Sequence, residues 1–207
     1  MSFNGILDNV RHYYAEKLRT HGATPEGVDW NSLESQELRF EQLLRISDRT
    51  RAFSINDYGC GYGALIEYLT ARGYSFQYRG FDISEEMSAK ASELHNDLDH
   101  CKFVADDSLL TAANYTIASG IFNVKLQASY EEWEAHMLST LTRIAEVSEK
   151  AFAFNVLTKY SHPEYMRSDL YYADPLYMFD YCKKNFSRFV ALLHDYPLYE
   201  FTILVRL

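Results

Sequence analysis

The fold of this 207-residue chain is decided by the stretch Ile55-Asn56-Asp57-Tyr58-Gly59-Cys60-Gly61-Tyr62-Gly63-Ala64-Leu65. An apolar run that begins at Ala52 leads into the acid Asp57, and glycines then follow at every second position until a helical pattern starts at Leu65. Glycine permits positive φ and lets a ligand approach the backbone closely. The pattern therefore predicts a strand, a tight turn and a helix, which together open a nucleotide-binding α/β fold.

Strands and helices are predicted to alternate from residue 52 onward, because β-rich runs are separated by helical patterns. Such alternation is typical of a parallel sheet with helices on both faces. The last two runs are joined by a link too short for a parallel crossover, so they must pair antiparallel. We therefore predict an α/β protein with a Rossmann-like, doubly wound mixed sheet of about seven strands, mostly parallel with an antiparallel terminal strand, plus N-terminal helices. The predicted strands are 52–57, 75–82, 101–105, 115–119, 151–157, 188–194 and 200–206.

The chain is predicted to form one domain, 1–207, in which a helical lid precedes the core. The lid comprises residues 1–50, and Asn31 is expected to cap its second helix. The core, 51–207, contains an inserted segment, 158–186, which carries six tyrosines. A long insertion beside a ligand crevice is often a substrate lid, although the same tyrosines would also suit a packing layer.

The surface is predicted to be acidic, since the net charge is −9 and the pI is about 5.2. Such a surface repels a phosphate backbone, which argues against nucleic acid as a partner. Cys60, Cys101 and Cys182 lack the spacing of metal ligands, so we expect free thiols and no metal site. The sequence shows neither a signal-peptide pattern nor an apolar run long enough to cross a membrane. A cytoplasmic protein without membrane partners is therefore expected.

The acids near the glycines indicate which nucleotide binds. The loop lacks the Lys-Ser or Lys-Thr of a phosphate-loop NTPase, which leaves NAD and S-adenosylmethionine as candidates. Asp82, about twenty residues beyond the loop, suits the adenosine ribose of either molecule. Asp57 opposes the anionic pyrophosphate of NAD but attracts the sulfonium and ammonium groups of S-adenosylmethionine. Asp106-Asp107 ends the third strand and completes an acidic crevice, which favours the cationic cofactor.

With these motifs the chain resembles the class I S-adenosylmethionine-dependent methyltransferases. The resemblance covers residues 50–207 and rests on Asp57-x-Gly59-x-Gly61-x-Gly63, Phe81-Asp82-Ile83-Ser84, Val104-Ala105-Asp106-Asp107 and Ala118-Ser119-Gly120-Ile121-Phe122. These stand in the order and spacing of the family. The Asn/Asp-Pro-Pro-Tyr/Phe sequence of many amino-nitrogen methyltransferases is missing after the fourth strand, which argues against DNA bases and glutamine as acceptors.

The resemblance implies a role for each residue of a cofactor site. Asp57 would organise the glycine loop and reach the methionine ammonium, and Asp82 would bind the ribose hydroxyls. Asp106 or Asp107 would accept from the adenine amino group. Arg39 would pair with the methionine carboxylate, although a solvated helix face is the simpler interpretation. The other implied contacts are Gly59, Cys60, Gly61, Ile83, Met87, Ser119 and Gly120 in the core and Tyr14 and Trp30 in the lid.

Methyl transfer to a hydroxyl group also needs a base, which contributes about 10²–10⁴-fold to the rate. Such a base is expected on the loops that follow strands four to six. His194, which precedes Asp195, and Lys159 are the predicted catalytic residues. Asn123, Lys125 and His162 lie on the same set of loops.

The sequence thus predicts an S-adenosylmethionine-dependent enzyme that methylates a small molecule, at an oxygen rather than a nitrogen atom. Tyrosines offer flat faces and hydroxyl groups, which suit a sugar or another biosynthetic intermediate as the acceptor. Two alternatives stay open. An NAD-dependent oxidoreductase would use Asp82 for the ribose, although Asp57 speaks against it. A non-catalytic S-adenosylmethionine-binding subunit would use the same site to regulate a partner.

Overall fold

The architecture is a seven-stranded sheet with helices on both faces. A computed structural model describes residues 3–207, with side chains from Gly5 onward. The strand order is β3-β2-β1-β4-β5-β7-β6. In chain order the strands are β1 Phe53–Tyr58, β2 Phe76–Phe81, β3 Cys101–Val104, β4 Ala113–Ala118, β5 Ser148–Leu157, β6 Phe189–Leu193 and β7 Glu200–Arg206. The helices are α1 Phe3–His21, α2 Leu33–Leu43, α3 Ala64–Ala71, α4 Glu85–Leu94, α5 Tyr130–Glu146 and α6 Pro175–Asn185.

The predicted fold class is confirmed. The strands β1 to β5 pair in parallel, while β7 lies between β5 and β6 and runs antiparallel to both. The predicted strand bounds agree closely except at β5, which begins at Ser148 rather than at residue 151. Glu149 and Lys150 are exposed at this end of the strand, so the sequence there carries no apolar signal. The cap of α2 is Ser32 rather than Asn31, and Ser32 exchanges capping hydrogen bonds with Ser35.

Two clusters of buried side chains hold the layers together, one on each face of the sheet. Leu65, Ile66 and Leu69 of α3 pack on one face. Trp133 and Met137 of α5 pack on the other. Burial of a large apolar side chain contributes roughly 1.5–3 kcal/mol, so these faces fix the helices on the sheet. None of the helices within residues 3–207 is both long enough and apolar enough to cross a membrane.

The connection from β3 to β4 contains only a short turn, Asp107–Leu109, instead of a helix that could cover the sheet. The first helix, α1, packs in the same buried cluster as α5. Its residues Ile6 and Val10 are buried in the same cluster as Tyr58 of β1. The N-terminal helix is therefore part of the core packing as well as a neighbour of the carboxyl edge of the sheet.

The segment 158–186 includes a helix that the sequence analysis did not predict. This helix, α6, starts with Pro175, and the Asp174 side chain caps it by accepting from the backbone of Leu176. Met178 and Cys182 of α6 are fully buried against the sheet. The tyrosines of the segment divide, since Tyr171 is buried whereas others, including Tyr160 and Tyr165, are exposed.

Candidate functional site

A cavity of about 320 Å³ lies at the carboxyl ends of β1, β2 and β4, against α1. This is the edge at which open α/β sheets bind ligands. No residue of 158–186 lines it. All the residues that the resemblance implies for the cofactor except Arg39 contribute to its wall, namely Tyr14, Trp30, Asp57, Gly59, Cys60, Gly61, Asp82, Ile83, Met87, Asp106, Asp107, Ser119 and Gly120.

The glycine loop forms the floor of this cavity. Gly59 and Gly61 have φ values of 83° and 53°, a region that favours glycine. A Cβ atom on Gly59 would stand 2.1 Å from Cγ2 of Ile121. The backbone N–H groups of Gly59 and Cys60 both donate to the carbonyl of Phe81, at 2.7 and 2.9 Å. The loop is thereby tied to the end of β2 and held close to the neighbouring turn.

Asp82 lies at the end of β2, and its two carboxylate oxygens hold the loops around it. Oδ2 accepts from the backbone N–H of Gly61 at 2.8 Å, and Oδ1 accepts from that of Ser84 at 2.8 Å. Desolvation raises the pKa of Asp82 to about 6, although these hydrogen bonds act in the opposite direction. The carboxylate is consequently fixed in place beside the cavity.

Asp57 is the most enclosed acid of the cavity, with only 3% of its surface exposed. The Tyr78 hydroxyl donates to Asp57 Oδ2 at 2.9 Å. Burial is the main reason why the pKa of Asp57 is raised to about 7; the nearby Asp82 carboxylate acts in the same direction, and the Tyr78 hydrogen bond acts against it. A cation in the cavity would stabilise both carboxylates in their charged form.

The acidic pair after β3 serves two different purposes. Asp106 is exposed, and its Oδ1 accepts from the backbone of Ser108 at 2.8 Å to cap the short turn. Asp107 instead accepts a hydrogen bond from the Tyr58 hydroxyl at 2.7 Å. Both residues line the cavity, but only Asp107 is held by a side chain from another strand.

The N-terminal helix is fastened across the cavity by polar contacts. Arg11 Nε donates to the carbonyl of Ile83 at 3.0 Å. Asp29 joins α1 to the segment that follows it, because it accepts from the Tyr13 hydroxyl at 2.6 Å and pairs with Lys17 Nζ at 2.6 Å. These contacts hold Tyr14 and Trp30 in the cavity wall.

The structure places Arg39 differently from the prediction. Its side chain is 8% exposed, and Nε pairs with the buried carboxylate of Glu200 at 2.9 Å. The guanidinium group also lies over the Trp30 ring, 3.8 Å from the centroid. Because a buried carboxylate needs a charged partner, Arg39 is committed to Glu200 and does not line the cavity.

The two predicted catalytic residues also lie outside the cavity wall. Lys159 Nζ is 2.7 Å from Asp174 Oδ2 at an exposed position. The exposed ring of His194 lies beside Tyr160 and Phe201, with centroids 6.2 and 6.0 Å away. Lys159 follows β5 and His194 follows β6, as predicted, but the loops that carry them do not contribute to the cavity wall.

Three residues of α5 that are not among the predicted site residues also reach the cavity, Trp133, His136 and Thr140. Their spacing puts them on one face of the helix, and this spacing is the signal that could have revealed them. His136 Nδ1 is 3.5 Å from Thr140 Oγ1. Burial lowers the pKa of His136 to about 4, so its imidazole is neutral at pH 7.

The described part of the chain contains no group of three His, Cys, Asp or Glu side chains that could hold a metal ion.

Comparisons with known proteins give the same assignment as the motifs. A family model described as "Methyltransferase domain" matches residues 55–148. A provisionally assigned methyltransferase of Mycobacterium tuberculosis is 50% identical over 163 residues, which span 79% of this chain and 98% of that relative. Among solved structures, the N-methyltransferase NodS from Bradyrhizobium japonicum, in complex with S-adenosylhomocysteine, has a TM-score of 0.65 at 13% identity, covering 96% of this chain and 98% of NodS.

Magnesium protoporphyrin IX methyltransferase from Synechocystis, also with S-adenosylhomocysteine bound, has a TM-score of 0.64 at 14% identity, covering 96% of this chain and 98% of that one. At such identities the solved structures show a shared fold. The mycobacterial relative is close enough to show the family, and the acids of the crevice match the charge of the cofactor. The choice left open by the motifs is thereby decided against NAD: the chain belongs to the S-adenosylmethionine-dependent methyltransferases, and S-adenosylmethionine is its cofactor.

Proposed function

We propose that this methyltransferase acts on a small molecule and methylates an oxygen atom, with a sugar or another biosynthetic intermediate as the acceptor. The observation that carries the proposal is the His136 imidazole, which lines the same cavity as the acids assigned to the cofactor and could accept the proton of a hydroxyl acceptor. The net charge of −9 disfavours a nucleic-acid acceptor. The name of the Synechocystis neighbour, a magnesium protoporphyrin IX methyltransferase, specifies a small molecule too.

In this proposal the carboxylates of the cavity orient the cofactor. Asp82 binds the two ribose hydroxyls, because its oxygens are fixed by the N–H groups of Gly61 and Ser84 and still line the cavity. Asp57 attracts the ammonium group of the methionine part. Asp107, oriented by Tyr58, accepts from the adenine amino group. Ile83 and Met87 pack against the adenine or the ribose.

The remaining walls are assigned to the rest of the cofactor. Gly59, Cys60 and Gly61 pass beneath it, and the carbonyl groups of Ser119 and Gly120 face its methionine end. Tyr14 and Trp30 cover it from the N-terminal side. The cofactor supplies a methyl group that is already activated on a sulfonium, so the enzyme contributes mainly alignment, which is worth roughly 7–11 kcal/mol of the barrier.

His136 is the proposed proton acceptor for a hydroxyl substrate. It lines the cavity, whereas His194 and Lys159 do not. Its imidazole is neutral at pH 7 and does not repel a cationic cofactor. A weak base would be sufficient, because the hydroxyl would become strongly acidic as its oxygen bonds to the methyl carbon and the carbon–sulfur bond breaks to release S-adenosylhomocysteine. The proton then passes from the oxygen to the imidazole.

The proposal is tested with S-adenosylmethionine that carries a ¹³C-labelled methyl group. The purified protein is offered a panel of sugars, phenols and amines, and carbon NMR identifies the atom that receives the label. We expect a methyl ether on a hydroxylated small molecule, formed much more slowly by His136→Asn. Label that appears only on nitrogen, or only on protein or RNA, would contradict the proposal.

A further inference from the structure

A buried carboxylate outside the cavity is linked to two parts of the cavity wall. Glu200, the first residue of β7, has no exposed surface. Its Oε2 accepts from Arg39 Nε at 2.9 Å, and its Oε1 accepts from Asn155 Nδ2 at 3.0 Å. Both oxygens of one carboxylate are thus used to hold side chains from α2 and from β5.

Each of these partners in turn contacts a residue of the cavity. Asn155 Oδ1 accepts from the backbone N–H of Gly120 at 2.7 Å, which fixes the turn after β4. The guanidinium carbon of Arg39 lies over the ring of Trp30, 3.8 Å from its centroid. Trp30 and Gly120 line the cavity, whereas Glu200 does not.

We call this set of contacts, from Glu200 through Arg39 to Trp30 and through Asn155 to Gly120, the relay. Its two ends, Trp30 and Gly120, also contact each other. A Cβ atom on Gly120 would stand 2.3 Å from the Trp30 ring, so the ring rests directly on the turn. Gly120 has a φ of 76°. The position of the ring and the conformation of the turn are therefore interdependent, and both depend on the same carboxylate.

Strand pairing does not require this network. The backbone ladder between β5 and β7 runs from residue 151 to residue 157 regardless of which side chains lie at its end. A buried ion pair brings little net stability, because the cost of removing two charges from water offsets their attraction. A charged and fully hydrogen-bonded set of side chains at the rim of a ligand cavity is better explained by geometry than by stability.

We propose that Glu200 is a positioning residue of the cofactor site, which holds Trp30 through Arg39 and holds the turn at Gly120 through Asn155. The inference rests on the proposed function, in which this part of the wall faces the methionine end of the cofactor. Glu200 itself touches neither cofactor nor acceptor. It acts by holding Trp30 and the turn at Gly120, which line the cavity.

Glu200→Gln tests the proposal, because an amide presents an N–H₂ group to one of the two donors and so breaks one arm of the relay. We expect S-adenosylhomocysteine, measured by calorimetry, to bind about tenfold more weakly. The protein is also labelled with 5-fluorotryptophan, which gives one ¹⁹F signal for each of its two tryptophans. The Trp30 signal, identified by its loss in Trp30→Phe, should shift in Glu200→Gln without ligand.

Ser148→Ala is the matched control. Ser148 is a buried polar residue at the opposite end of β5, and its hydroxyl bonds to Thr116 and to the carbonyl of Ile144. This change should lower the melting temperature but leave both the affinity for S-adenosylhomocysteine and the Trp30 signal unchanged. A purely structural role for Glu200 would make Glu200→Gln behave in the same way.

Arg39→Lys provides a second test that does not depend on the folding of Glu200→Gln. Lysine keeps the charge opposite Glu200 but lacks the planar group that stacks on Trp30. Weaker binding together with a shifted Trp30 signal supports the relay. Normal binding and an unmoved signal in both variants would overturn it. A wild-type protein that does not bind S-adenosylhomocysteine would instead refute the function on which the inference rests.

Discussion

Asp57 and Asp82 place two carboxylates in one cavity, which lowers the stability of the ligand-free protein. Enclosure raises the pKa of Asp57 to about 7 and that of Asp82 to about 6. Each carboxylate is stabilised by one or two donors, but water is largely excluded around Asp57. The charged forms, which in the proposed function attract the cofactor, are therefore disfavoured until a cation binds.

The affinity for S-adenosylmethionine should accordingly rise with pH. Only the carboxylate form of Asp57 attracts the cationic cofactor, and with a pKa of about 7 that form increases about eightfold between pH 6 and pH 7.5. Calorimetry at pH 7 in two buffers of different ionisation enthalpy should show proton release on binding. Affinity that is constant or falls over this range would show that Asp57 does not titrate with binding.

Asp57→Asn should stabilise the ligand-free protein at pH 8 while weakening cofactor binding. Because the pKa is raised from 3.8 to about 7, ionisation of Asp57 destabilises the fold increasingly from about pH 4 to about pH 7 and fully above that, and the substitution removes this cost, worth at most about 4 kcal/mol. The gain should vanish at pH 4 or below, where the acid is protonated. Urea unfolding at both pH values checks this, and a destabilised variant at pH 8 would contradict it.

Residues that act through distant partners were the hardest to interpret from the sequence. Arg39 and Glu200 are 161 positions apart, so no local pattern indicates that they pair. The acids and glycines of the cavity were predictable, because each stands at a strand end with a fixed spacing. His136 does not stand at a strand end. It lies on α5, whose apolar residues indicate a helix that packs on the sheet and give no sign of a cavity residue.

At the scale of elements, most strands could be predicted because their apolar runs end in acids and glycines. The helix α6 was missed because its segment is rich in tyrosine and its buried residues are few. The role of α1 was also only partly predictable. The connection between β3 and β4 contains only a short turn, and Ile6 and Val10 of α1 pack in a buried cluster with residues of the sheet and of α5. No local pattern in the sequence indicates these contacts between distant parts of the chain.

The contact between the turn after β4 and Trp30 gives a prediction for Gly120→Ala. The new Cβ would meet the ring, so binding of S-adenosylhomocysteine should weaken. Gly73→Ala is the matched control, because Gly73 has a similar φ of 70° and nothing within 4 Å of the added Cβ. Both changes share a backbone strain of about 1–2 kcal/mol. Equal affinities in the two variants would show that the ring does not matter for binding.

For the whole molecule, the cavity joins the N-terminal segment to the core. Tyr14 and Trp30 come from the first part of the chain, whereas Asp57, Asp82 and Gly120 come from the sheet. A ligand that contacts both parts should raise the stability of the protein as a unit.

Saturating S-adenosylhomocysteine should therefore raise the melting temperature. A concentration one hundred times Kd adds about 2.7 kcal/mol. For a chain of this length that corresponds to roughly 5–10 °C. Scanning calorimetry should show one transition that moves as a whole. A second transition that ignores the ligand would show that α1 and the core do not unfold together.

The most direct test of the account is a calorimetric titration of the purified protein with S-adenosylmethionine, repeated on Asp82→Ala. Asp97→Ala, which changes an exposed aspartate outside the cavity wall, is the control. We expect micromolar binding to the wild type and to the control, and loss of binding in Asp82→Ala. Equal binding to all three proteins, or none to the wild type, would contradict the claim that this acidic crevice holds the cofactor.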